Sequence, residues 1–130
     1  MEAQAKEKCR VYRTIVADDE PEFCGWFRSL LEGSEDFQIV GEAANGTEAL
    51  RLAARWMPDL LVADIYMPEP DGLELARYVR QHLPSIKVIL ISSHEGYIYE
   101  RLAREEGALT FIPKAGLSLY AMRQVLQGKR

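Results

Sequence analysis

Apolar residues in this chain fall into short continuous runs, separated by longer stretches in which they recur every three or four positions. Thr14-Ile15-Val16-Ala17, Leu60-Leu61-Val62-Ala63 and Val88-Ile89-Leu90-Ile91 are too short for helices and are bounded by polar or helix-breaking residues. Each predicts a strand buried on both faces, the signature of a parallel sheet. Residues 38–43 and Thr110-Phe111-Ile112 supply two further, weaker runs. Helical spacing fills the intervals. Pro21, favoured at the first helical position, opens a helix whose stripe is Phe23, Phe27, Leu30 and Leu31, and Gly33-Ser34 stops it. Asn45-Gly46-Thr47-Glu48 has the capping-box pattern and leads a stripe of Ala49, Leu50, Ala53 and Met57 up to Pro58. A second box, Asp71-Gly72-Leu73-Glu74, starts a helix with Leu75, Val79 and Leu83 inward, ended by Pro84. Helices over 97–106, before Gly107, and 118–127, before Gly128, complete the alternation. Five strand–helix units with short connections predict an α/β domain: a doubly wound five-stranded parallel sheet with helices on both faces, because right-handed crossovers force that arrangement. The expected division is a polar leader over residues 1–12 and one domain over 13–128.

The pattern places polar residues just beyond the carboxyl ends of four strands. Asp18 and Asp19 follow the first, Asp64 closes the third, Ser92 follows the fourth and Lys114 the fifth. Open α/β sheets keep their chemistry at that edge. Three carboxylates in one crevice repel severely unless a divalent cation or a phosphoryl group compensates. Singly, each residue has a plainer explanation. Asp18 and Asp19 can cap the first helix, Asp64 can start an Asx turn, Ser92 can be a turn residue and Lys114 a solvated surface cation. Jointly, at one end of one sheet, those explanations lose force. His82 reads as a helix-terminal cation and His94 as a rim residue, while Trp26, Trp56 and the tyrosines are core or interface material.

Composition narrows the classes. A content of 48% hydrophobic and 28% charged residues in 130 suits one soluble domain with a real core. A net charge of −4 and a pI near 5.2 argue against a nucleic-acid surface on this domain. Cys9 and Cys24 lack metal-ligand spacing and are too few for a disulfide framework, and the charged start has no signal-peptide core, so a cytoplasmic location with no membrane contact is expected.

Asp18-Asp19, Asp64 with Met67-Pro68 and Asp71-Gly72, Ser92, and Lys114 after Gly107-Ala108 together resemble the receiver domain of two-component response regulators, across nearly the whole of 13–128. The last helix, with Leu119, Ala121-Met122, Val125 and Gly128, is similar to that of the NarL/FixJ (LuxR-type) class. The resemblance implies a flavodoxin-like receiver fold with strand order 2-1-3-4-5 and a phosphorelay role. In it Asp64 is the phosphoacceptor, supplied by a sensor histidine kinase. Asp19 binds Mg²⁺ directly with Asp18 supporting it, the backbone carbonyl of Tyr66 is a further ligand, Lys114 pairs with the phosphoryl group, and Ser92 with Phe111 forms the switch. Tyr66 and His94 flank the bound group and hinder in-line water. Catalysis is limited to the domain's own phosphorylation and dephosphorylation.

The implied output is transcription through a DNA-binding domain not in this chain, with possible homodimer formation on phosphorylation. The alternative is a stand-alone receiver acting by protein contact or as a relay intermediate. Tyr97, Tyr99, Leu117 and Tyr120 are suited to a partner surface, the plainer alternative being that they close the core. The chain departs from the family pattern at Glu69, where Gly is common, at Phe111, where Tyr is frequent, and at Ala115, where many members carry Pro.

The chemistry stands apart from the family name. An aspartate attacks phosphorus only if the incoming charge is neutralised, which a hard cation and a lysine ammonium do together. Rival classes fit less well. A haloacid-dehalogenase-type phosphatase needs a second acid two residues after the nucleophile, where Tyr66 stands. A nucleotide-binding enzyme needs a glycine-rich loop after the first strand, where Asp18-Asp19-Glu20 repels phosphates. A pseudo-receiver serving only for contact is discouraged by the complete set of acids, hydroxyl and lysine.

Overall fold

The computed structural model describes residues 10–128, so most of the expected leader, and Cys9, lie outside the described residues. Strands β1 (Tyr12–Ala17), β2 (Phe37–Ala43), β3 (Leu60–Asp64), β4 (Lys87–Ser92) and β5 (Thr110–Pro113) alternate with helices α1 (Pro21–Glu32), α2 (Gly46–Trp56), α3 (Gly72–His82), α4 (Tyr97–Glu105) and α5 (Leu119–Leu126). A single 3₁₀ turn, Lys114–Gly116, follows β5. All neighbouring strands pair in parallel in the order β2-β1-β3-β4-β5, as the resemblance implied. This is the flavodoxin-like receiver fold.

Period-two alternation divides the sheet between two cores. Ile15, Ala17, Leu61, Ala63, Val88 and Leu90 face α2, α3 and α4, meeting Ala49, Ala53, Leu75, Val79 and Ala103. Val16, Leu60, Val62, Ile89 and Ile91 face α1 and α5, meeting Cys24, Phe27, Leu31 and Met122. The central strand β3 is buried at all five positions, which fixes its register and the place of Asp64 at its end.

The helix signals mostly hold. Asn45 and Asp71 cap α2 and α3 through Glu48 N–H and Glu74 N–H, and the Asp71 box is reciprocal. In α2 the return bond from Glu48 goes to Ala44 N–H instead of the cap itself. Met57 departs from its expected place on the buried stripe. It takes a left-handed conformation (φ 44°) as the cap of α2 and is 44% exposed, because Pro58 disfavours a helical conformation in the residue before it. Leu117 is also corrected: it is buried in the α1/α5 core and contributes no partner surface, whereas Tyr97 and Tyr120 are strongly exposed.

Two glycines hold the loop after β3. Gly72 N–H donates to the Ile65 carbonyl and Gly46 N–H to that of Pro68. A Cβ at Gly72 would strike the Asp64 carbonyl oxygen, and one at Gly46 the Pro70 carbonyl oxygen. No other residue type allows so close an approach.

An ion pair ties α5 to the start of β2. Arg123 donates from Nε and Nη2 to the Asp36 carboxylate at 2.6 and 2.8 Å. Arg123 holds the Asp36 carboxyl at about 2, well below its ordinary 3.8. A carboxyl lowered on folding stabilises the fold above its unfolded value and loses that contribution as pH falls through the folded one. With both side chains about a third exposed, the contribution is about 1 kcal/mol. Urea unfolding of the parent and Asp36→Asn is expected to show this gap at pH 7, closing between about pH 4 and pH 2; a gap independent of pH would contradict it.

Candidate functional site

Four strand ends converge as the pattern required. Lys114, at the end of β5, is the hub: its side chain is 12% exposed, and Nζ lies 2.7 Å from Asp18 Oδ2, 3.0 Å from Asp64 Oδ2 and 2.6 Å from Glu20 Oε1. The Phe23 ring of α1 backs the ammonium at 4.5 Å. Burial would depress the lysine, but the hydrogen bonds and charges of Asp18, Glu20 and Asp64 outweigh it and hold the group above its ordinary value. Lys114 is therefore a fixed cation in this crevice and no surface lysine.

Asp18 is almost fully buried, and burial pushes its carboxyl up against the pull of Lys114 and of Glu20 N–H, which donates to Oδ1 at 2.9 Å. Its Oδ2 meets Lys114 as a close ion pair outside hydrogen-bonding geometry, leaving a buried oxygen without a hydrogen-bond partner. Lys114 already supplies this oxygen with a cation, and a carboxylate oxygen has a second lone pair that can take another electropositive partner. Neither Asp18 nor Asp19 caps α1, whose N-cap position is Glu20 with no side-chain capping bond, so helix capping does not explain this acid pair.

Asp64 serves twice. Oδ1 accepts from Tyr66 N–H at 2.8 Å, the Asx turn expected of an isolated Asp, while Oδ2 faces Lys114. Ser92, also buried, accepts from His94 N–H at 3.0 Å, with His94 Nδ1 3.2 Å from the same Oγ. A cleft of about 250 Å³ opens over these groups, lined by Asp19, Glu20, Asp64, Tyr66, Ser92, Ser93 and His94. Phe111, on β5, is buried with its ring stacked on Tyr99. His82, at the end of α3, packs on Tyr78 and is remote from the cleft-lining set.

Carboxylate oxygens of Asp18, Glu20 and Asp64 lie within 4.8 Å of one another, a donor set of hard oxygens. The structure brings Glu20 into this cluster in place of Asp19, which is exposed on the rim of the same cleft. Lys114 gathers the three acids, and an isolated Glu at a helix start carries no signal in the sequence that it will reach a lysine 94 positions away. An anionic group entering here meets a fixed ammonium and a buried hydroxyl beside the Asp64 carboxylate.

Comparison with known proteins agrees with this geometry. The family model of the response regulator receiver domain matches residues 14–126. A protein-glutamate methylesterase/protein-glutamine glutaminase of Hahella chejuensis is 35% identical over 102 residues, covering 77% of this chain and 29% of that protein. The transcriptional regulatory protein YxjL of Bacillus subtilis is 31% identical, over 84% of this chain and 49% of its own length. The chain thus spans at most about half of these curated relatives. A two-component response regulator of the LuxR family from Aurantimonas sp. SI85-9A1 superposes with a TM-score of 0.83 at 31% identity, covering 92% of this chain and 88% of that one.

Proposed function

The chain belongs to the receiver domain family of two-component response regulators, and from that premise we propose that it takes a phosphoryl group from a sensor histidine kinase onto Asp64 and thereby controls an output. The observation that supports this most is Lys114 Nζ set 3.0 Å from Oδ2 of Asp64, a carboxylate that lines the cleft. In the transfer an Asp64 carboxylate oxygen attacks phosphorus, the bond from phosphorus to the donor's imidazole nitrogen breaks, and that nitrogen keeps the electron pair. The product is an acyl phosphate. Lys114 neutralises charge on the arriving group, and the Ser92 hydroxyl donates to one of its oxygens by turning away from His94. Phosphoryl transfer needs little beyond such positioning.

Asp18, Asp19, Asp64 and the Tyr66 carbonyl, with Glu20 adjacent, are the oxygens that would hold Mg²⁺, and the clustered hard oxygens of Asp18, Glu20 and Asp64 fit that use. Bound there, the cation supplies positive charge against the transferring phosphoryl oxygens. Uptake from acetyl phosphate is expected to require added Mg²⁺ and to stop with a chelator; uptake indifferent to the chelator would contradict this assignment.

The output follows from the neighbours. The LuxR-family likeness favours transcriptional control; action through a DNA-binding domain and dimer formation on phosphorylation belong to the same proposal. The methylesterase relative supports the second reading, in which the receiver governs a different partner by protein contact. Catalysis by the domain itself is confined to gaining and losing its own phosphoryl group. Among the described residues no helix is long and apolar enough to cross a membrane.

A further inference from the structure

The crevice has a roof that the residues above do not account for. Tyr66 is 53% exposed, yet its phenol is engaged: its hydroxyl lies 3.0 Å from that of Tyr99, 33 residues away on the first turn of α4. The Tyr66 ring meets Tyr99 edge-on at 6.2 Å and His94 at 5.0 Å. Tyr99 in turn stacks on Phe111, with centroids 5.2 Å apart and planes within 28°. His94 is bonded to Ser92. A line of contacts thus runs from Asp64 through the Tyr66 backbone and the two phenols to Phe111, with a branch from the Tyr66 ring through His94 to Ser92.

A half-exposed tyrosine ring is held in one rotamer only by what touches it. Here the partners are one phenol and one imidazole, and of these only Tyr99 is anchored in the core, packed against the α2/α3/α4 cluster. Phe111 has no hydroxyl with which to report the state of the site. Tyr99, resting on its face, has one and points it at the residue that covers Asp64.

We propose that Tyr99 is a positioning residue that latches the Tyr66 ring over the Asp64 crevice and, by its stack on Phe111, joins closure of that roof to the switch ring. The proposal rests on Asp64 being the phosphoacceptor. Loss of the phosphoryl group requires a water oxygen to attack phosphorus opposite the Asp64 oxygen, breaking that P–O bond, regenerating the carboxylate and releasing orthophosphate. A latched Tyr66 narrows the approach of that water. An unlatched ring swings free and opens it.

Tyr99→Phe removes one hydroxyl and keeps the ring, its stack and the core. The phosphorylated variant is expected to decay about 5-fold faster than the parent, the factor carried by one lost hydrogen bond. Tyr66→Phe should match it, and the double variant should decay no faster than either, as the two hydroxyls form one contact. In the unphosphorylated protein, the nuclear Overhauser effect between the Tyr66 and His94 rings should weaken in Tyr99→Phe while that between residue 99 and Phe111 persists. Parental decay, additive effects in the double variant, or an undiminished contact between Tyr66 and His94 would overturn the latch. If neither the parent nor any variant takes up a phosphoryl group, the phosphoacceptor assignment falls, and the ring contacts still decide whether Tyr99 holds Tyr66.

Discussion

Lys114→Met is expected to slow phosphoryl uptake from acetyl phosphate by about 100-fold, the scale of removing one preorganised charge from a transferring group. The substitution keeps a side chain of similar length and deletes only the ammonium that the Phe23 ring backs and that Asp18, Glu20 and Asp64 share. Those carboxylates, two of them buried, then repel without compensation, and clustered like charges favour any added cation. Affinity for Mg²⁺, read by titration calorimetry, is therefore expected to rise while phosphoryl uptake falls. Opposite signs from one substitution distinguish this account from simple damage to the fold, which would lower both. Uptake at the parental rate would remove Lys114 from the mechanism.

The second large effect is on stability. Gly72→Ala places a methyl group against the Asp64 carbonyl oxygen and within 2.7 Å of the Ile65 Cα, both backbone atoms that cannot move aside without shifting the end of β3. A cost of about 3 kcal/mol is expected in urea unfolding, at the upper end for overpacking against a well-packed element. Gly25 offers the opposite case on α1, where a Cβ meets nothing within 4 Å. Gly25→Ala should stabilise by about 0.5–1 kcal/mol through helix propensity alone. If Gly72→Ala is as stable as the parent, the close approach that seats Asp64 is not a constraint on the fold.

The sheet was legible because β1, β3 and β4 are apolar runs bounded by polar or helix-breaking residues and too short for buried helices. The crevice was legible for a related reason: topology brings all parallel strand ends to one edge, so Asp18, Asp64, Ser92 and Lys114 needed only correct strand boundaries to meet. What depended on side-chain packing was not legible. Glu20 joins the acid cluster because Lys114 draws it in, and nothing local to Glu20 announces that. Leu117 reads as surface beside Ser118 but turns inward between β5 and α5, packing with Met122. Met57 continues the α2 stripe by spacing, yet Pro58 ends the helix one residue earlier than that stripe. The Tyr66–Tyr99 contact joins two loops' worth of chain across the cleft, and helical periodicity says only that Tyr99 is amphipathic.

The central claim is that Asp64 receives the phosphoryl group. Intact-mass measurement after incubation with acetyl phosphate and Mg²⁺ tests it most directly, on the parent and on Asp64→Asn, which retains the shape of the side chain and loses the nucleophilic carboxylate. One phosphoryl adduct on the parent and none on Asp64→Asn is the predicted result. An adduct undiminished in Asp64→Asn, or no adduct on the parent, would contradict the account.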